Sequence, residues 1–211
     1  MGAVAVAGGR EIIRLNGVEK AYGAKVVLRI GQLVLSEGDR VLLRGPNGSA
    51  KSTLLRIIAG ITLPSAGKVW RNQARYTRVG YLPQSGGVYP DLSLRDNLRL
   101  RAEVYGLSEE ESRMIETVRT LGLERFWRKR CGELSGGYQR LAALAAALHV
   151  KPDCLLLDEP FAALDELHRE LVARTICEFS EGKPLTIIVA PAMEQFEFVN
   201  RHLEMREGSL V

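Results

Sequence analysis

The residues best placed to do chemistry fall in three short stretches. Gly45–Thr53 reads GPNGSAKST; it follows the strand-like run Arg40–Arg44 and leads into LLRIIAG, whose apolar residues and closing Gly60 suit a helix. A glycine-rich turn in that place curls backbone N–H groups around phosphate oxygens. Gly45, Asn47, Gly48, Ser49 and Ala50 form the curl, Lys51 adds a cation, Ser52 a magnesium ligand, and Thr53 carries the chain into the helix. Charge-assisted hydrogen bonds contribute about 1.5 to 3 kcal/mol each, so several N–H groups and Lys51 suffice for micromolar-class triphosphate binding. The competing reading is an ordinary strand-to-helix turn. Ala50 stands where the strict pattern GxxxxGK[ST] has its second glycine, and its Cβ either crowds the phosphate or demands a negative φ. CLLLDE (154–159) supplies acids at the end of an apolar strand. Asp158 suits magnesium, which takes few carboxylates, and Glu159 is left to polarise an attacking water; a strand ending in solvated acids is the alternative. LSGG (134–137) precedes a long Ala-rich helix, placing Ser135, Gly136 and Gly137 at a second helix N-terminus able to meet an anion.

The elements that must position these stretches are legible in the apolar pattern. Glu11–Val18 and Lys25–Leu35 are strand-like runs around the turn Tyr22-Gly23, followed by the short buried strand Arg40–Arg44. From Leu92 to Val150 the pattern turns helical, with Ser93 capping a helix that ends near Gly106, Ser108 one that reaches Gly122, and Ser135 the Ala-rich third. Strands return at 154–158 and 184–190 with a helix between them, a crossover unit with a parallel sheet, and LEMREGSLV reads as a hairpin around Gly208.

The 211 residues are one domain's length, and 29 Lys and Arg against 25 Asp and Glu leave a net charge of +4 that selects no partner. Cys131, Cys154 and Cys177 lie far apart, with no CxxC and no neighbouring His at ligand spacing, so neither a zinc site nor a redox pair is indicated, which fits a reducing cytosol. The opening lacks a signal peptide's basic start, and no stretch approaches the 18 apolar residues of a bilayer span. Any membrane role is expected to come through a partner.

Together GPNGSAKST, Gln84 in GYLPQ, LSGGYQR, CLLLDEP and Ala163-Leu164-Asp165 resemble the nucleotide-binding subunit of ABC transporters over nearly the whole chain. The resemblance implies an α/β P-loop NTPase core (1–84 and 151–211) with N-terminal antiparallel strands and an inserted helical subdomain (85–150). It further implies magnesium-ATP as substrate, with Glu159, Lys51 and Gln84 catalytic and Ser52, Gln84 and Asp158 on the metal. Tyr22 would stack on adenine. Ser135, Gly136 and Gly137 would close the partner's phosphate loop in a head-to-tail homodimer or heterodimer, with Asp165 at the seam. A transmembrane permease would place the chain on the cytoplasmic face of the membrane, and no nucleic acid is expected. VYPDLSLRDNLRLRAEVYG resembles the family region that grips the permease's cytoplasmic helix; a plain amphipathic helix reads equally well. The basic run ERFWRKR reads as a solvated helix end or a lipid-facing patch.

Besides Ala50, three positions depart from the family pattern: Pro191 replaces a histidine that contacts the γ-phosphate, Tyr138 a glutamine and Leu141 an arginine. Proline offers neither imidazole nor N–H, and loss of one such donor typically lowers a rate about a hundred- to a thousandfold. The expectation is slow hydrolysis without a partner, in a subunit of the small exporter or cytochrome c maturation heme exporter type. A soluble ABC ATPase in assembly, or a module that dimerises on ATP without hydrolysing it, stays open; a DNA-repair ATPase ranks last because no long coiled coil is inserted.

Overall fold

The computed structural model describes residues 10–107, 111–191 and 196–211, with the backbone alone for 111–113. The helix cap expected at Ser108 lies outside the described residues. In chain order the elements are β1 (Glu11–Tyr22), β2 (Lys25–Ser36), β3 (Asp39–Arg44), α1 (Lys51–Ile58), β4 (Ala66–Arg71), β5 (Val79–Leu82), α2 (Leu94–Val104) and α3 (Glu111–Thr120). They continue with α4 (Gly136–His149), β6 (Cys154–Asp158), α5 (Glu166–Ser180), β7 (Leu185–Val189), β8 (Arg201–Arg206) and β9 (Ser209–Leu210). Contacts divide them into two compact units, one up to Thr77 and from Gly182 onward, the other Arg78–Glu181.

In the first unit, β2, β1 and β4 form an antiparallel sheet in that order. Ile13 and Leu15 are buried while Arg14 and Asn16, alternating with them, are exposed, the period-two pattern of a strand with one wet face. β4 was not foreseen from the sequence, because AGKVWR buries no residue fully and shows no alternation strong enough to mark it. Its approach to β1 depends on Gly67: a Cβ there would sit 2.2 Å from the Gly17 carbonyl oxygen, at a φ of +83°. β3 runs parallel to both β7 and β8, and β8 turns into β9 as the expected hairpin at Gly208. Val41–Leu43 and all of β7 are buried, as strands covered on both faces must be. Asp39 and Arg201 make a buried ion pair (2.8 Å), and each also bonds backbone of the β2 end, Asp39 accepting from the Ser36 N–H and Arg201 donating to the Val34 carbonyl.

α1 buries Leu54, Leu55, Ile57 and Ile58. Its last carbonyls, which an isolated helix leaves unpaired, accept from side chains: Arg71 donates to Ile57 (2.5 Å) and Ile58 (3.2 Å), and the Tyr76 hydroxyl to Ile58 (2.5 Å).

In the second unit, β5 and β6 are parallel, and α4 is buried continuously from Arg140 to His149. Gly80 permits α4 to lie close on β5, since a Cβ there would come within 2.5 Å of the Ala147 carbonyl oxygen. α2 is capped as expected, Ser93 Oγ accepting from the Asp96 N–H. Buried Asn97 ties the preceding loop down: its amide oxygen accepts from the Tyr89 N–H, and its amide nitrogen donates to the Tyr89 and Ser93 carbonyls and to Cys131 Sγ. Among the described residues no helix is long and apolar enough to cross a membrane.

Candidate functional site

In the first unit β3 delivers the chain into the Gly45–Ala50 turn, and α1 begins at Lys51. The turn is built around Gly45, whose φ is +148° and where a Cβ would strike the Met205 carbonyl oxygen at 2.2 Å. Lys51 is buried, with Nζ folded over the turn and donating to the carbonyls of Gly45 (2.8 Å) and Pro46 (2.9 Å). An ammonium has three N–H bonds, so one direction is left for another acceptor. Ser49 Oγ is buried without a hydrogen-bond partner among the described residues. Asn47 and Gly48 are exposed, while Ser52 and Thr53 are half-buried on the first turn of α1.

Ala50 departs from the expectation of a negative φ. Its φ and ψ are +73° and +20°, the left-handed conformation that glycine would adopt there. The turn's shape is therefore kept with the wrong residue, at roughly 1 to 2 kcal/mol. Tyr22, at the exposed end of β1, has Lys20 Nζ 5.2 Å above its ring. Pro191, just beyond β7, is exposed.

In the second unit Asp158 is the last residue of β6 and is buried; Glu159 follows, half-buried, at a φ of +53°. Gln84 is exposed in the loop after β5. Arg140 brings these together. From the second turn of α4 it donates through one terminal nitrogen to the carbonyls of Pro83 (2.5 Å) and Gln84 (3.3 Å). Through the other it donates to the carbonyls of Glu159 (2.9 Å) and Asp158. Burial holds its pKa below the ordinary arginine value, a shift that Asp158, Glu159 and Tyr81 oppose only in part. The sequence reading missed Arg140, although a lone cation in GYQRLAALAAALH was the available signal.

Ser135 occupies the N-cap position of α4, but its hydroxyl makes no cap bond. Ser135 and Gly136 are exposed, so the helix N–H groups at this tip are not claimed by the side chain expected to cap them. Tyr138 leans the other way: it accepts a hydrogen bond from Arg125 (2.6 Å) and packs against the rings of Phe126 (4.6 Å) and His168 (5.3 Å). Two residues of ERFWRKR thus pack on Tyr138, the residue that follows LSGG. His168 continues to Asp165, which caps α5 by accepting from the His168 N–H (2.9 Å) and pairs with its Nδ1 (2.7 Å). The His168 N–H, and after it the ring, holds the Asp165 carboxyl below the usual carboxylate range. Gly87, Val88, Tyr89, Leu100, Arg101 and Val104 border an open groove of about 420 Å³ along α2. Tyr89 and Val104 are 62% and 74% exposed there. Among the described residues no three His, Cys, Asp or Glu side chains gather as a metal cluster.

A family model described as ABC transporter matches residues 28–162. The Fe(3+) ions import ATP-binding protein FbpC 2 of Pectobacterium atrosepticum is 33% identical, over 94% of this chain and 61% of its own. The probable sulfate/thiosulfate import ATP-binding protein CysA of Chlorella vulgaris is 32% identical, over 82% of this chain and 84% of its own. The chain spans about three fifths of the length of the iron-import relatives it matches. Among solved structures, the dimeric post-hydrolysis state of the ATP-binding cassette MJ0796 bound to ADP and Pi has a TM-score of 0.85 at 27% identity, covering 94% of this chain and 96% of that one. An ATP-binding subunit of an ABC transporter has a TM-score of 0.79 at 25% identity, covering 94% and 88%. The mixed α/β architecture with an antiparallel sheet and a largely parallel one is that of these cassettes.

Proposed function

Given that the chain belongs to the ABC transporter family as one of its ATP-binding domains, we propose that it binds and hydrolyses magnesium-ATP to drive a membrane permease. The observation that carries this reading is the turn before α1, where Ala50 holds a glycine's conformation and Lys51 Nζ is drawn over the loop. Backbone N–H groups and Lys51 hold the phosphates, and Tyr22, exposed on β1, offers a face for adenine. Ser52, Gln84 and Asp158 carry hard oxygen donors of the kind magnesium takes, and the bound ion neutralises phosphate charge. Glu159 orients the attacking water. Ser135, Gly136 and Gly137 of one copy meet the triphosphate of a facing subunit, in a dimer like that of MJ0796, with Asp165 beside the seam. The groove along α2, with Tyr89 and Val104 open, receives a cytoplasmic helix of the permease. Such a chain works at the cytoplasmic face of the membrane.

The direction we assign is uptake. The sequence alone led to the expectation of a small exporter or heme exporter subtype, whereas relatives matched over 82% to 94% of the chain are named as import proteins. Cargo contacts lie in the permease. Pro191 leaves the position after β7 without imidazole or N–H, which makes hydrolysis slow until the complex is assembled.

Calorimetry with magnesium-ATP and single-turnover hydrolysis test the reading together. Micromolar-class binding, and loss of turnover in Glu159→Gln with binding retained, are expected; an unfilled protein at millimolar nucleotide would end it. In the isolated chain, Pro191→His should raise turnover tenfold or more, on the order of a lost donor's usual effect. Co-purification of a multi-span membrane protein from native membranes, lost in Val104→Asp, tests the groove.

A further inference from the structure

The carbonyl ends of β5 and β6 meet a single side chain. Arg140 is 7% exposed, and its two terminal nitrogens reach the carbonyls of Pro83 and Gln84 on one side and of Asp158 and Glu159 on the other. Its Nε has no acceptor among the described residues, so the whole hold runs through those two nitrogens. Carbonyls just past the end of a parallel pair have left the strand ladder and need donors from elsewhere. A guanidinium supplies them as a rigid fork with donors enough for both strand ends.

What it holds is conformationally delicate. Glu159 sits at a φ of +53°, a conformation that a residue with a Cβ keeps only when its surroundings impose it. Its carbonyl is fixed by Arg140 and by the Ala162 N–H (3.1 Å). Gln84, Ser85 and Gly86 border an open hollow of about 310 Å³ whose wall also includes Gly136 and Arg140, so the Gln84 loop faces space where packing would otherwise fix it.

We propose that Arg140 is a positioning residue: it sets the backbone of Gln84, Asp158 and Glu159, and so the direction of the Gln84 and Glu159 side chains, from the helix that carries Ser135. The proposal rests on the ATPase reading for its catalytic consequence, while its structural half stands apart from it. Arg140→Lys keeps a buried cation yet reaches only one strand end, and Arg140→Gln keeps hydrogen bonding without the charge.

The test pairs hydrogen exchange with single-turnover hydrolysis and nucleotide calorimetry on the full chain. Arg140→Lys should speed exchange about tenfold or more in 83–86 and 159–163, and leave α1 as in the unaltered protein. Hydrolysis should fall roughly a hundredfold, as for a misplacement of about 1 Å, with the magnesium-ATP dissociation constant within about twofold. Millimolar guanidinium should restore part of the rate to Arg140→Ala. Unchanged exchange in both segments, or a rate loss matched by equal loss of folded protein or nucleotide affinity, overturns the proposal. If exchange responds as expected but the unaltered chain does not hydrolyse ATP in a single turnover, the ATPase reading fails and the positioning role stands.

Discussion

At the start of α1 the polar contacts turn inward: Lys51 is buried on the carbonyls of Gly45 and Pro46, and Ala50 is bent into a left-handed conformation to let it get there. At the start of α4 they turn outward: Ser135 and Gly136 are exposed, and the serine caps nothing. Both turns end in helix N–H groups that favour anions. The difference is that the first turn has its shape fixed by its own chain, whereas the second offers donors and no enclosure. A ligand at the first needs little rearrangement, and one at the second must bring its own walls, which is what a facing subunit's nucleotide would do.

Substitutions can break that contrast. Lys51→Ala should have the largest effect, weakening magnesium-ATP binding about a hundredfold, because charge-assisted bonds of about 1.5 to 3 kcal/mol are lost. Ser135→Arg should do the reverse, leaving the calorimetric affinity of the monomer within about twofold while abolishing the ATP-dependent dimer that light scattering is expected to detect in Glu159→Gln. If Ser135→Arg weakens the monomer's binding as much as Lys51→Ala does, the two turns are not separate half-sites. Ala50→Gly should relieve the left-handed strain by roughly 1 kcal/mol and raise Tm by about 2 to 4 °C in thermal unfolding; a lower Tm would mean that alanine is not strained there.

Asp165→Ala has the smallest expected effect. The carboxyl's pKa is depressed in the folded chain, so its contribution to stability is present above the ordinary carboxylate value and is lost as pH falls through the depressed one. The variant should melt below the unaltered protein at neutral pH and converge with it in acid. A gap that stays constant with pH would detach the α5 cap from the charge of Asp165.

The parts of the fold legible from sequence were those with strong periodicity or strong end signals. β1, β2, β6 and β7 carry apolar runs, and Ser93 stands before a helix with free N–H groups to bond, whereas the cap that Asp165 gives α5 was not foreseen. β4 escaped because Ala66, Gly67 and Lys68 are exposed and its partner register is set by Gly67 against Gly17, a close approach between residues far apart in the chain. β5 escaped because VGYL is four residues long and its glycine matters only where α4 lies over it. At the candidate site, the glycine-rich turn before α1 and the acids of β6 were readable as motifs. Arg140 was not, since its partners are carbonyls, which every residue has and no sequence distinguishes. Ala50 shows the opposite limit: residue type argued against a conformation that the surrounding turn imposes regardless.

With only eight residues, α1 is about two turns long, too short to hold its own ends. Arg71 and Tyr76 plug its rear, and Arg71 is the last residue of β4. The helix therefore behaves as a rivet and not as a spring. A pull at Lys51 passes through the carbonyls of Ile57 and Ile58 into the β2–β1–β4 sheet, where fraying would otherwise have absorbed it.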